Sequence, residues 1–138
     1  MTDRQAHWEQ VYRSKGETDV SWYEASPELS LSLLERAGLH PGLSVIDIGG
    51  GASRLADALV ERGQAHVAVL DLSAAALETV RSRLGDPANV EWIVTDISRW
   101  KPSRQYDLWH DRAALHFLTE PADQSAYVEA LAQALAPR

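Results

Sequence analysis

The residues best placed to do chemistry form one short run, Asp47-Ile48-Gly49-Gly50-Gly51. Consecutive glycines after an apolar strand permit a tight strand-to-helix turn. They also let backbone approach a ligand closely, at the strand end where open α/β sheets bind. A dinucleotide fingerprint would need a further glycine at position 54, and Arg54 stands there. A carboxylate at Asp47 would repel a pyrophosphate and suits a cationic group instead. Two further carboxylates follow apolar runs, Asp71 after His66–Leu70 and Asp96 after Val90–Val94. His110 and Asp111 follow the run Gln105–Trp109, with His116 shortly beyond. Local roles compete with these: Asp71 could begin the helix that Ser73 caps, and Asp96 could cap the turn Ile97–Trp100. Asp111-Arg112 could be an ion pair that holds its turn.

The elements that must position these residues alternate. Residues 3–14 have loosely helical spacing, and 16–26 read as a polar loop carrying Trp22 and Tyr23. Ser26-Pro27 is expected to cap a helix whose apolar stripe is Leu29, Leu33, Leu34 and Ala37, stopped by Gly38. From there strands are expected at Leu43–Ile48, His66–Leu70, Val90–Val94 and Gln105–Trp109. Helices are expected at Ala52–Arg62, from the Ser73 cap to Leu84, and at Pro121–Ala136. Strands alternating with helices of this length imply parallel, right-handed β-α-β units with helices on both faces, an α/β fold. Trp92, Trp100 and Leu77 are expected in the core, and His40 and His66 in solvated or structural roles.

Composition narrows the function. The 138 residues suit one domain, and 13 basic against 20 acidic residues give a net charge of −7. That balance argues against broad nucleic-acid binding, which depends on Lys and Arg neutralising phosphates. There is no cysteine, so disulfides, thiolate metal sites and cysteine nucleophiles are excluded, and no metal is expected. Charged residues interrupt the start, and no apolar run approaches a membrane span, so a cytoplasmic protein with no membrane partner is expected.

S-adenosylmethionine carries a sulfonium and an α-ammonium and no phosphate, which the charge at Asp47 favours. Asp47-x-Gly49-x-Gly51 resembles the first motif of class I S-adenosylmethionine-dependent methyltransferases. Val69-Leu70-Asp71-Leu72-Ser73 is similar to the stretch whose acidic residue accepts the ribose hydroxyls. Val94-Thr95-Asp96-Ile97 is similar to the one whose Asp meets the adenine amino group, and Tyr106–Arg112 to the one that reaches the reacting centre. His7-Trp8-Glu9-x-x-Tyr12 and Ser21-Trp22-Tyr23-Glu24 resemble a bacterial group of small methyltransferases. The resemblance implies a Rossmann-like sheet in the order 3-2-1-4. It implies S-adenosyl-L-methionine as cofactor, S-adenosyl-L-homocysteine as product, and contacts from Asp47, Gly49, Gly50, Gly51, Asp71, Leu72, Asp96 and Ile97.

Residues 1–42 are then expected to form a helical cap or lid, with Trp22 and Tyr23 over the cofactor, on a core spanning 43–138. Covering the sheet edge is the other reading of those two aromatics. Methyl transfer needs a base only when the nucleophile arrives protonated, and Asp111, His110 and His116 are the candidates. The acceptor is expected to be a small molecule or a protein lysine. A catalytically silent cofactor-binding or dimerising module is the alternative, and an NAD-dependent oxidoreductase is disfavoured by Arg54. Family members continue into strands 5–7, expected to be absent here because the sequence stops at Ala136-Pro137-Arg138. The fourth strand would then be an edge, and pairing of two such edges in a homodimer is expected.

Overall fold

The computed structural model describes residues 4–7, 9–10, 27–111, 114–115 and 118–137, with residue 52 described in its backbone alone. Residues 4–7, 9 and 10 are helical. Helix α1 (Glu28–Arg36) precedes strand β1 (Ser44–Ile48), a short 3-10 turn (Gly50–Ala52) and helix α2 (Leu55–Glu61). Strand β2 (His66–Asp71), helix α3 (Ala74–Leu84), strand β3 (Val90–Val94), strand β4 (Leu108–Asp111) and helix α4 (Pro121–Ala134) complete the order. The sheet is parallel throughout and runs β3-β2-β1-β4, the order expected from sequence.

Strand alternation divides the core into two layers. Val45, Val67, Val69, Val90 and Leu108 face α1, α2 and α3, meeting Leu31, Leu34, Leu55, Leu59, Leu77 and Val80. Ile46, Ile48, Ala68 and Leu70 face the other way, toward Ile97, Leu118 and the α4 residues Tyr127, Ala130 and Ala134. Leu77 is buried, while Trp92 and Trp100 are partly buried against the two layers. No helix among the described residues is long and apolar enough to cross a membrane.

Several boundaries differ from the sequence expectation by one to three residues, and four of the differences have a clear local reason. Pro27, rather than Ser26, takes the N-cap position of α1, and its carbonyl accepts from Leu31 N at 2.9 Å. The buried face of α1 is Ser30, Leu31 and Leu34, whereas Leu29 is 66% and Leu33 53% exposed. The apolar stripe suggested a phase that packing against the sheet does not adopt. Helix α2 starts at Leu55 rather than Ala52, because residues 50–52 are spent on the 3-10 turn and Ser53 is extended. Ser53 Oγ then accepts from Leu55 N at 2.9 Å.

The other two differences meet at one edge. Strand β4 spans Leu108–Asp111 rather than Gln105–Trp109, which brings His110 into the ladder with β1. Helix α4 ends at Ala134, because the chain turns extended and lays Leu135 parallel to Tyr106. Tyr106 N donates to Ala134 O at 2.7 Å and Ala136 N to Tyr106 O at 2.8 Å. At Tyr106, within the stretch whose edge was expected to pair in a homodimer, the chain thus makes one isolated bridge of its own, which lies before β4.

The phase of α1 can be tested by unfolding. Leu34→Ala is expected to lower stability by ~2–4 kcal/mol and Leu33→Ala by less than about 1, measured by urea denaturation. Equal losses would place the buried face elsewhere.

Candidate functional site

The carboxyl ends of β1, β2 and β4 bring three polar side chains to the α1–α3 face. Asp47 and His110 are register partners, and Asp71 ends β2 on the same face. Burial is nearly complete, with Asp47 1%, Asp71 5%, His110 8% and the neighbouring Asp96 4% exposed. Buried carboxylates are unfavourable unless N–H or O–H groups meet them, so the question is what supplies those groups.

For Asp71 the glycine bend supplies them. Gly51 N donates to Oδ2 at 2.9 Å and Ser73 N to Oδ1 at 2.9 Å. A Cβ at Gly51 would lie 2.8 Å from Asp71 Oδ2 and 2.6 Å from Ala76 Cβ. A Cβ at Gly50 would lie 2.5 Å from Asp47 Oδ2 and 2.9 Å from Val69 Cγ1. Gly49 turns the chain at φ 73°, and its N–H donates to Leu70 O at 2.7 Å. Gly50 and Gly51 are therefore needed by close approach and Gly49 by conformation.

Asp47 Oδ1 accepts from His110 Nδ1 at 2.8 Å. Its Oδ2 is buried and has no hydrogen-bond partner among the described residues. Asp96 Oδ1 accepts from Ser98 N at 3.0 Å and Ser98 Oγ at 2.7 Å, so the local cap foreseen for it exists. Arg4 Nη1 also spans both Asp96 oxygens, at 2.8 and 2.7 Å, while Nη2 donates to Asp123 on α4. Glu9 Oε1 accepts from Ala75 N at 3.1 Å, at the start of α3 beside Asp71. Sequence reasoning missed Arg4, and it named Glu9 only within the His7–Tyr12 stretch, without a partner. The partners of both lie far along the chain, so local spacing did not point to them.

His110 and Asp111, paired as candidate bases in the sequence, point to opposite faces because strand neighbours alternate. Asp111 accepts from Ala114 N at 2.6 Å, Leu115 N at 3.0 Å and the Tyr127 hydroxyl. Tyr127 in turn accepts from Trp109 Nε1 at 3.0 Å. Asp111 therefore holds the turn after β4. Leu72 is half-buried beside Asp71, and Ile97 packs into the α4-side layer. Trp22, Tyr23 and His116 lie outside the described residues. Among the described residues no group of His, Asp and Glu could hold a metal ion. The buried groups gathered here are mainly acceptors, an arrangement that suits hydrogen-bond donors and positive charge.

Burial pushes the Asp71 carboxyl up from 3.8 to about 6, with Asp47 and Glu9 adding repulsion and the Ser73 and Gly51 N–H groups opposing it. A folded-state value above the unfolded one means that the folded chain takes up this proton first. The ionised group thus opposes folding above about pH 6, and that penalty of roughly 3 kcal/mol is relieved as pH falls toward 4. Urea midpoints of wild type and Asp71→Asn, compared at pH 7.5 and 4.5, are expected to shift in favour of wild type at the lower pH. A difference that does not move with pH contradicts the assignment.

Comparison with known proteins adds kinship to this geometry. A family model described as a methyltransferase domain matches residues 45–138. Trans-aconitate 2-methyltransferase of Azoarcus sp. (strain BH72) is 35% identical over 91 residues, covering 65% of this chain and 35% of that protein. Malonyl-[acyl-carrier protein] O-methyltransferase 1 of Ilyobacter polytropus is 27% identical over 78 residues, covering 56% of this chain and 29% of that protein. The chain thus spans about a third of the length of these curated relatives. The crystal structure of the N-methyltransferase NodS from Bradyrhizobium japonicum WM9, in complex with S-adenosyl-L-homocysteine, superposes with a TM-score of 0.75. It is 19% identical, with 94% of this chain and 68% of that chain covered, a likeness in fold. With its glycine bend, parallel sheet and matched family model, the chain belongs to the methyltransferase domain family.

Proposed function

We propose that the chain binds S-adenosyl-L-methionine and is the cofactor-binding part of a class I methyltransferase acting on a small-molecule nucleophile. The observation that carries this is Asp47 Oδ2, a buried acceptor beneath a bend that admits no side chain. An ammonium with no phosphate attached is the group such an oxygen suits. Asp71 accepts one N–H on each oxygen and, as a carboxylate, has sites left for two ribose hydroxyls. Asp96, which Arg4 spans, is the carboxylate this reading assigns to the adenine amino group. The cofactor, when bound, supplies a methyl group already activated by its sulfonium. The chain's own work is to hold that end of the ligand, orient it and keep water away. The name of the trans-aconitate methyltransferase supports a small-molecule acceptor rather than a protein lysine.

In this reading residues 1–42 act as a lid, attached through the helical residues 4–7, 9 and 10. Arg4 fastens one end at Asp96 and Asp123, and Glu9 the other at the start of α3. The two fastenings lie next to the carboxylates assigned to adenine and ribose.

Two measurements test these readings. S-adenosyl-L-homocysteine at about 100 times its dissociation constant is expected to stabilise the chain by ~2.7 kcal/mol in thermal unfolding, and NAD at the same concentration not at all. An equal response to NAD, or none to the adenosyl ligand, overturns the cofactor assignment. For the lid, Arg4→Ala is expected to speed S-adenosyl-L-homocysteine release by roughly tenfold in stopped-flow, which corresponds to ~1.4 kcal/mol. Unchanged release would mean that the clasp does not gate the site.

A further inference from the structure

The pairing of Asp47 with His110 sets a second constraint on this site. Neighbouring parallel strands place register partners side by side, so residue 110 stands beside Asp47 on the same sheet face. Both side chains are almost fully buried, at 2% exposure for Asp47 and 9% for His110. A carboxylate oxygen accepts, so the Nδ1–H of His110 donates to Oδ1 across 2.8 Å. Among the described residues this is the hydrogen bond that orients the Asp47 side chain. It leaves Oδ2 turned to the bend, at the spot where a Cβ on Gly50 would lie 2.5 Å away. Without a donor at position 110 the carboxylate could rotate away from the bend, which removes the acceptor from the ligand's place.

We infer that His110 is a positioning residue for ligand binding, holding Asp47 so that Oδ2 is presented to the cationic end of the adenosyl ligand. This rests on the cofactor reading above and adds to it the residue that organises the acceptor. His110 thereby acts through Asp47. Its sequence neighbour Asp111 cannot share the task, because it faces the opposite layer and is engaged by Tyr127 and the following turn.

The test uses S-adenosyl-L-homocysteine, which has no transferable methyl group, so a role as general base would not alter its affinity. Calorimetric titration compares wild type, His110→Asn and His110→Gln, with thermal unfolding confirming that each variant is folded. The Asn amide reaches the place of Nδ1 and is expected to keep affinity within about threefold. The Gln amide reaches past that place and is expected to weaken binding by roughly tenfold or more, a loss of ~1.4 kcal/mol. In an Asp47→Asn background the two substitutions are expected to have equal, small effects, because the oxygen they serve has gone. Wild-type binding with equal affinity in both His110 variants overturns the positioning role while leaving the cofactor reading intact. Absence of wild-type binding overturns both.

Discussion

The structure depends on burying carboxylates at one end of a parallel sheet without leaving them unmet. Asp47, Asp71 and Asp96 are each at most 5% exposed, and an unpaired ion at such depth would be severely unfavourable. The glycine bend makes the arrangement possible. Because Gly50 and Gly51 lack Cβ atoms, main chain can settle directly over the carboxylates and turn an N–H onto Asp71. What remains is a deliberate imbalance. One oxygen of Asp47 has no donor among the described residues, and Asp71 holds its proton up to about pH 6. A site in that condition favours ligands that bring hydrogen-bond donors and positive charge.

Strand alternation then sorts the chemistry between two layers. Asp47, Asp71 and His110 share the α1–α3 face, whereas Trp109 and Asp111 face α4 and join Tyr127. The α4-side network braces the turn that follows β4, and so fixes the strand that carries His110. The N-terminal residues meet this arrangement from outside, because Arg4 ties Asp96 to Asp123 and Glu9 meets α3. Residues far apart in sequence thus control the two ends of one row of acceptors.

Elements with a strong local signature were legible from sequence. β3 and the Ser73 cap of α3 fell where expected, since an apolar run bounded by turns and an N-cap serine are decided within a few residues. The exposed positions of Leu29 and Leu33 were not legible, because the phase of a short helix is chosen by the sheet beneath it. The ends of β4 and α4 escaped for a related reason, as the Tyr106–Leu135 bridge exists only once the helix has packed back on the sheet. Of the candidate site, the placement of Asp47, Asp71, Asp96 and the glycines at strand ends was readable from the apolar runs before them. The separate fates of His110 and Asp111 were not.

The amino-acid sequence alone determined the alternation of strands and helices and the places of the carboxylates, which follow from local patterning. The strand order was foreseen through the family resemblance, with the handedness of parallel connections only limiting the choices. Tertiary structure decided which of those groups face one another. Register set His110 beside Asp47, the close approach of backbone placed Gly51 on Asp71, and docking of the N-terminal residues brought Arg4 to Asp96. Pairings of that kind join residues separated by 20 to 92 positions, so no local pattern can encode them.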